Sequence, residues 1–184
     1  VIKAREFINN PKVISSNKKD IKTLADIKVN NVIIDCLNPT NFQIISEESI
    51  NEKEKNIRWI IDPIDGTLNF SRNFPYSSVC ISLWNENNPI ISVVKNIFNG
   101  DSYVYSQGKN TTLNGNKIHV SNKKLVKNSL IATGFPSNSN ISEINLKRLI
   151  ENVQRFKKVR AIGSASLMLS YVADGTFDAY FEDE

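Results

Sequence analysis

Two aspartates, Asp62 and Asp65, are the strongest candidates for chemistry in the sequence, because they follow directly on an apolar run. The run, residues 59–61, predicts a buried strand. Pro63 has a fixed φ and predicts a turn, so we expect the chain to leave the strand where the two carboxylates arrive. Both acids are then expected to share one tight loop.

The remaining groups of this loop add further oxygen donors. Ile64 places its carbonyl between the two carboxylates, Gly66 lets the backbone approach a ligand closely, and Thr67 adds a hydroxyl. Such hard oxygen ligands suit Mg²⁺, especially when a substrate phosphate completes the shell. The alternative is a solvated Asx turn after a core strand, and the spacing alone leaves both interpretations open.

A second predicted strand also ends at acidic residues. Glu47 follows a predicted short strand, residues 42–45, just as Asp62 follows its own, so pairing of the two strands would bring these acids together. An exposed acidic loop is the alternative. Asp26 stands three residues after Thr23, which is the spacing of a capping box, and capping alone would explain it.

The composition is that of a globular protein and argues against several kinds of site. The 184 residues are 40% hydrophobic and 23% charged. The single histidine, His119, and the absence of a Cys-x-x-Cys motif argue against structural zinc and most nucleophilic triads. Cys36 and Cys80 lie in apolar runs and are expected to be buried free thiols. We find no membrane-spanning run or signal segment and expect a cytoplasmic protein without a membrane partner.

The net charge of +4 suits an anionic substrate, although it would also suit a nucleic acid. The basic residues form scattered pairs, such as Lys18 with Lys19 and Lys123 with Lys124. No aromatic residues are interleaved among them, as a surface for single-stranded nucleic acid requires. We therefore expect a solvated basic surface and no nucleic-acid ligand.

Apolar periodicity predicts an α/β protein. Helices are predicted near residues 1–8, 23–37, 144–156 and 163–172. Strands are predicted at 42–45, 59–61, 77–84, 89–96, 102–106, 111–113, 117–120, 129–133, 159–162 and 177–181. An antiparallel series precedes strands that alternate with helices, which is typical of a layered α/β protein. We predict an N-terminal α+β lobe (1–132) with the antiparallel sheet and the metal site, and the start of an α/β lobe (133–184).

Two short motifs belong to this pattern. Asn114 and Gly115 are typical of a two-residue hairpin turn. Gly163, Ser164 and Ala165 begin the last predicted helix, where unpaired amides could bind an anion or a hydroxyl group. An ordinary serine-capped helix is the alternative.

Together these motifs resemble the inositol monophosphatase family of Mg²⁺-dependent, lithium-sensitive phosphatases. The matching segments occur in the family's order: Asp20 to Asp26, Glu47 to Ser49, Asp62 to Thr67 with Asn69 and Phe70, Asn114 with Gly115, Gly134 to Pro136, Gly163 to Ala165, and Phe177 to Glu182. The resemblance covers nearly the whole chain. It implies a layered αβαβα sandwich, usually assembled as a homodimer.

The resemblance also implies roles for individual residues. Mg²⁺ would be held by Glu47, Asp62, the Ile64 carbonyl and Asp65. Glu47 and Thr67 would position and activate the attacking water, with Asp26 supporting Thr67. Gly66 and Thr67 would donate backbone hydrogen bonds to the phosphate, and Asp65 would also contact the substrate. The alcohol part of the substrate would meet Gly163, Ser164, Ala165 and Glu182. Glu48 matches a family position whose role stays open.

The sequence departs from the family's pattern in two places. Ser46 stands where most relatives have glycine. In the family a Trp-Asp motif, whose aspartate is a further metal ligand, follows the position of Glu182, whereas this sequence stops at Glu184. We therefore expect the C-terminal part of the fold to be missing from this chain.

The implied reaction is hydrolysis of inositol monophosphate, or of a similar small polyol phosphate, by metal-activated water. One alternative is a sister phosphatase that acts on fructose 1,6-bisphosphate, histidinol phosphate or a nucleotide bisphosphate. A further alternative is a weakly active scaffold that binds protein or RNA.

Overall fold

The structure is a computed structural model that describes residues 1–8, 11–16, 21–47, 55–134 and 142–182. The predicted motif residues Asp20, Glu48 and Ser49, the Phe135–Pro136 pair, and the basic pair Lys18 and Lys19 lie outside the described residues.

A seven-stranded sheet is the centre of the fold. Its strands are β3 (Gln43–Ser46), β4 (Ile57–Asp65), β5 (Ser78–Asn85), β6 (Asn88–Asn96), β7 (Ser102–Ser106), β8 (Thr112–Leu113) and β9 (Asn116–Lys117), paired in that order. β3 and β4 are parallel, and every later pair is antiparallel. The antiparallel series that the alternating sequence predicts is therefore present. Asn114 and Gly115 both have positive φ, as the predicted hairpin turn between β8 and β9 requires.

A smaller parallel sheet follows in the chain. Its order is β11 (Lys158–Arg160), β10 (Leu130–Thr133), β12 (Ala179–Phe181), and the helices between these strands are α4 (Glu143–Val153) and α5 (Ala165–Ala173). This β10–α4–β11–α5–β12 order is the mixture of helices and strands expected for the end of the chain. The division into two lobes at residues 132 and 133 stays a prediction.

The other elements lie near the N-terminus or in connections. They are α1 (Ile2–Arg5), β1 (Val13–Ser16), β2 (Ile21–Thr23), α2 (Leu24–Leu37), α3 (Thr67–Ser71) and two 3₁₀ turns, Asn38–Thr40 and Val126–Asn128. β1 and β2 form a separate antiparallel pair that the sequence does not predict. Every residue of β1 is exposed, so it lacks the alternating apolar pattern that marks a half-buried strand.

Helices and sheets form successive layers. Ala25, Val29 and Ile33 of α2 are buried in one core with Ile61 and Ile64 of β4. α5 contacts strands of the large sheet and also β12 of the small one. The order α2, large sheet, α5, small sheet agrees with the predicted layered α/β fold.

The prediction that the chain leaves the strand at Pro63 is wrong. The strand continues to Asp65, with a register shift against β5 between Asp62 and Asp65. Pro63 has no amide proton to donate, and strands tolerate proline at such irregular positions. The two acids therefore lie on a bulged strand end rather than in a loop beyond it.

The two cysteines do not share one environment. Cys80 is partly buried, whereas Cys36 is exposed on α2, so the prediction of a buried thiol is wrong for Cys36. Isolated apolar neighbours in sequence do not reveal which face of a helix a residue occupies. In the described part of the chain, no helix has both the length and the apolar character needed to cross a membrane.

Candidate active site

Glu47 directly follows β3, and Asp62 lies in the adjacent parallel strand β4, three residues before its end. β3 and β4 pair in parallel with Ser46 opposite Ile61, so the residue that follows each of these is an acid. This is the strand pairing on which the predicted meeting of Glu47 and Asp62 depends. Ser46, the departure from the family's glycine, is buried, and its hydroxyl donates to Asn30 Oδ1 at 2.6 Å.

Asp62 lies in a strongly acidic environment. Its pKa is raised to about 7, first by burial and then by the charges of Asp65 and Glu47, with a smaller contribution from Asp26. The Ile64 amide opposes this shift by donating to Asp62 Oδ1 at 3.0 Å. The structure therefore contains the side chain-to-backbone bond of an Asx turn, and the same turn lies among further carboxylates.

Asp26 joins the start of α2 to the acidic strand end, the part of β4 from Asp62 to Asp65. Its Oδ2 accepts from the Thr23 amide at 2.8 Å and from the Thr23 hydroxyl at 2.5 Å. Its Oδ1 lies 3.1 Å from the hydroxyl oxygen of Thr67. Asp26 is 5% exposed, so this capping carboxylate is buried and faces Thr67 as well. Capping and contact with Thr67 are thus compatible roles of one side chain.

The Thr67 hydroxyl lies between two acceptors. Its oxygen is 3.1 Å from Asp26 Oδ1 and 3.0 Å from the Ile64 carbonyl oxygen. A hydroxyl has one proton to donate and two lone pairs that accept. Since both neighbours only accept, the Thr67 oxygen keeps its accepting capacity for another donor.

Asp65 is bound to the start of α5. Its Oδ2 accepts from the Ser166 amide at 3.1 Å, from the Ser166 hydroxyl at 2.5 Å, and from the Ser164 hydroxyl. Ser164 is also the N-cap of α5 and accepts from the Leu167 amide. The serine-capped helix that the sequence offers as an alternative is therefore present, and Asp65 already occupies one of its first amides.

Gly66 fits closely against the loop before α5. It has φ +79°, and a Cβ there would lie 2.9 Å from the Tyr76 carbonyl oxygen and 3.0 Å from that of Gly163. The backbone conformation and the lack of space both require glycine. This contact joins the acidic strand end to the predicted alcohol-binding residues Gly163, Ser164 and Ala165.

Asn69, on α3, also binds the loop before α5. Its Nδ2 lies 2.8 Å from the Tyr76 carbonyl oxygen, 2.6 Å from that of Ile162 and 3.2 Å from that of Gly163. The sequence shows Asn69 only as a motif residue and gives no sign of this function. Side-chain bonds to distant carbonyls leave no local sequence pattern.

Glu182 lies at the end of β12, next to the end of β10. The Tyr180 hydroxyl donates a hydrogen bond to Glu182 Oε2. A Cβ at Gly134 would lie 2.5 Å from the same oxygen, so the carboxyl group packs on the glycine backbone. The pKa of Tyr180 is raised by burial, then by Glu182, and also by the charge of Asp65. Glu182 is therefore bound to a tyrosine that is itself affected by the charge of Asp65.

The donor types fit a hard cation. Asp62 and Asp65 provide carboxylates, Ile64 provides a carbonyl, and Glu47 follows the adjacent strand. Within residues 1–8, 11–16, 21–47, 55–134 and 142–182, no three His, Cys, Asp or Glu side chains form a group that could hold a metal ion by themselves. Mg²⁺ usually uses one or two carboxylates and completes its shell with water and substrate phosphate. The crowded negative charge around Asp62 is a second feature that a cation would relieve.

Three residues that bind the site together carry no assigned role in the sequence analysis: Ser166, Ser78 and Asn69. Ser166 follows directly on the Gly163–Ala165 motif, and its position at a helix start was the available signal. Ser78 is fully buried in β5, and its Oγ lies 2.5 Å from Ser166 Oγ.

Two curated relatives are similar to this chain in sequence. The chain is 33% identical over 173 residues to Nus factor SuhB of Xylella fastidiosa, covering 92% of the chain and 63% of that relative. It is 31% identical over 192 residues to inositol monophosphatase 1 of Sus scrofa, covering 97% of the chain and 69% of the relative. The chain thus spans roughly two thirds of the length of these curated relatives.

The fold is similar to that of a solved IMPase from Thermotoga maritima. The TM-score is 0.86 at 26% identity, covering 98% of the chain and 70% of the solved one. The model of the inositol monophosphatase family matches residues 1–184. This chain belongs to the inositol monophosphatase family.

Proposed function

We propose that the protein is a Mg²⁺-dependent phosphomonoesterase that hydrolyses inositol monophosphate or a similar small polyol phosphate. Membership in the inositol monophosphatase family supports a phosphatase. The observation that carries the proposal is the position of the Thr67 hydroxyl between Asp26 Oδ1 and the Ile64 carbonyl oxygen.

The acidic strand end is the proposed metal site. Mg²⁺ held by Glu47, Asp62, Asp65 and the Ile64 carbonyl would lower the pKa of a bound water and neutralise charge on the phosphate. Asp62 must lose its proton to serve as a ligand. Its raised pKa of about 7 makes that loss sensitive to pH near neutrality.

Thr67 and Glu47 are the proposed water-positioning residues. Because Asp26 and the Ile64 carbonyl both accept from the Thr67 hydroxyl, its oxygen can accept a hydrogen bond from water. Glu47 would provide the second acceptor and take up the proton of the attacking water. Catalysis then depends mainly on positioning and charge neutralisation.

A covalent intermediate on Cys80 does not fit this site. The residue lies opposite Asp62 on β5, so it is close to the proposed chemistry. Burial raises the pKa of its thiol to about 12, which keeps it protonated at neutral pH. A protonated thiol is a poor nucleophile. We therefore propose direct attack by water.

The substrate would bridge the two segments that Gly66 and Asn69 join. The amides of Gly66 and Thr67 would donate to the phosphate at the start of α3, and Asp65 would contact the substrate beside them. The alcohol part would meet Gly163, Ser164 and Ala165 on one side and Glu182 on the other. A carboxylate beside small residues and a hydroxyl suits a polyol, because it can accept from substrate hydroxyl groups.

The sister phosphatase activities remain alternatives within the same reaction class. Fructose 1,6-bisphosphate, histidinol phosphate and nucleotide bisphosphates share the phosphoester and differ in the leaving group. The homodimer that the resemblance implies and the cytoplasmic location expected from the sequence also belong to the proposal. Light scattering after size-exclusion chromatography tests the dimer.

The decisive experiment measures phosphate release by the full-length protein from inositol monophosphate and each alternative substrate, with Mg²⁺ and with a chelator. Asp65→Asn should abolish turnover and keep the fold. Asp35→Asn, at an exposed position of α2, is the matched control and should keep full activity. Full activity of Asp65→Asn would refute the proposal, and insensitivity to Li⁺ would argue against the subfamily.

A second candidate function is binding to protein or RNA. One relative at 33% identity has the name Nus factor SuhB, which describes a factor rather than a phosphatase. Salt-sensitive binding that survives Asp65→Asn, without Mg²⁺-dependent phosphate release, would favour this function.

A further inference from the structure

Asp65 has an uneven set of hydrogen bonds. Every bond that the described residues give to its carboxyl group ends on Oδ2, from the Ser166 amide, the Ser166 hydroxyl and the Ser164 hydroxyl. A carboxylate oxygen offers about two lone-pair directions, so three donors fill Oδ2. Oδ1 is then the oxygen of Asp65 left for a ligand outside the protein.

Ser166 contributes more to this arrangement than any other residue. Its amide and its hydroxyl both bind the same oxygen, at 3.1 Å and 2.5 Å. Two donors from one residue fix the direction of the carboxyl group as well as its distance. Hydrogen bonds from a hydroxyl to an ionised carboxylate are short and about twice as strong as neutral ones.

Ser78 supports the Ser166 hydroxyl from the large sheet. Ser78 pairs with Asp65 across β4 and β5, and its Oγ lies 2.5 Å from Ser166 Oγ. The Ser166 hydroxyl donates its single proton to the bond with Asp65 Oδ2, so the Ser78 hydroxyl must donate to Ser166. The chain of donors therefore runs from β5 through α5 to the acidic strand end.

We propose that Ser166 is a positioning residue, which holds Asp65 Oδ2 on the protein so that Oδ1 is presented to the metal ion. The inference rests on the proposed Mg²⁺ site. Groups that orient a metal ligand from behind typically change metal affinity 10- to 100-fold when removed. Because Ser164 and the Ser166 amide would still hold Oδ2, the lower end of this range applies.

Ser170 provides a matched control on the same helix. Its hydroxyl donates to the Ser166 carbonyl oxygen at 2.8 Å and belongs to no bond with Asp65. Ser170 is 6% exposed, so Ser170→Ala also removes a buried hydroxyl from α5. The two alanine variants share helix and chemistry but differ in contact with Asp65.

The experiment is a calorimetric titration of the full-length protein with Mg²⁺, with the thermal midpoint of each metal-free variant as a separate measurement. Ser166→Ala should raise the Mg²⁺ dissociation constant about tenfold, and Ser170→Ala should leave it within about twofold. Ser166→Thr, which keeps the hydroxyl, should restore the affinity. Ser78→Ala should have an intermediate effect of about threefold, because it acts through Ser166.

Several outcomes would overturn the inference. Ser166→Ala could lower the thermal midpoint and yet bind Mg²⁺ as tightly as Ser170→Ala does. In that case Ser166 only stabilises the helix start. If Ser166→Ala does not fold, Ser78→Ala decides, and an unchanged affinity counts against the inference. If the wild type, Ser166→Ala and Ser78→Ala all bind Mg²⁺ equally well and release phosphate, the inference is refuted but the proposed function is not. A wild-type protein that binds no Mg²⁺ refutes the proposed function with it.

Discussion

Thr67 and Asp26 are 41 residues apart in sequence, and the Thr67 hydroxyl oxygen lies 3.1 Å from Asp26 Oδ1. The same carboxylate caps α2 through its other oxygen. One side chain thus connects the stability of a helix start with the proposed placement of a catalytic water.

The two roles of Asp26 can be separated. Asp26→Asn should lower phosphate release about 100-fold or more, because the amide no longer offers a charged acceptor to Thr67. The loss of free energy of unfolding should be only about 1 kcal/mol, the usual cost of a cap. Steady-state kinetics and urea unfolding measure the two effects. Thr67→Ala should match the kinetic loss without the cost at the cap, and an active Thr67→Ala would contradict the water-positioning role.

Asp62 predicts a pH-dependent stability of the metal-free protein. Its pKa is raised to about 7 in the folded state from 3.8, so the folded protein binds this proton more tightly than the unfolded chain. The free energy of unfolding should therefore fall as pH rises from about 4 to 7, by on the order of 2 kcal/mol after screening by solvent. Denaturant unfolding at several pH values in a chelator measures it.

The control for this prediction is Asp62→Asn, which cannot ionise. It should remove most of the pH dependence and be more stable than the wild type at pH 8 without metal. Mg²⁺ affinity of the wild type should increase over the same pH range, because binding displaces the proton. A metal-free wild type that becomes more stable between pH 5 and 8 would be inconsistent with the raised pKa.

Gly66 should tolerate no side chain. Gly66→Ala combines a positive φ with a Cβ 2.9 Å from a backbone oxygen, so we expect a loss of more than about 2 kcal/mol. Gly108→Ala is the control, since Gly108 has φ +75° but open space around it. Its loss should be about 1 kcal/mol, the cost of the backbone conformation alone. Thermal unfolding of both variants gives the comparison, and equal losses would show that the close contact at Gly66 is unimportant.

Asn69 should matter for the junction between the acidic strand end and α5. Asn69→Ala leaves the carbonyls of Tyr76 and Ile162 without this donor, at a cost of about 1–3 kcal/mol. Because Asn69 also contacts Gly163, a proposed substrate-binding residue, the KM for substrate should rise more than kcat falls. Steady-state kinetics tests this split. If Asn69→Ala has the KM and the stability of the wild type, the Asn69 hydrogen bonds do not contribute to substrate binding or to stability.

Local patterns in the sequence predict much of the fold. α2 begins after Thr23, β5 and β6 form the expected hairpin, and the Asn114–Gly115 turn is present. Each of these depends on neighbours in sequence: a cap, an alternating strand pair or a turn residue. The extension of β4 beyond Pro63 was not predictable, because proline commonly ends a strand and only pairing with β5 shows that it continues.

In the candidate site, too, local patterns are predictable and tertiary contacts are not. Glu47 lies beside Asp62 only because β3 pairs with β4, and the sequence alone does not show that the two strands pair. The bonds of Ser166 to Asp65 join residues 101 positions apart, and no local period or spacing encodes them. Motifs therefore indicate which residues take part, whereas tertiary contacts decide which atoms of those residues remain available.

The bulge in β4 has a consequence for the direction of the two aspartates. In a regular strand, residues three positions apart point to opposite faces of the sheet. Here Asp62 pairs with Cys80 and Asp65 pairs with Ser78, and these partners are two positions apart on one face of β5. The extra residue in β4 thus reverses the alternation and turns both carboxylates to the same side. If the same four residues were paired regularly, without the bulge, one of the two carboxylates would point to the opposite face of the sheet.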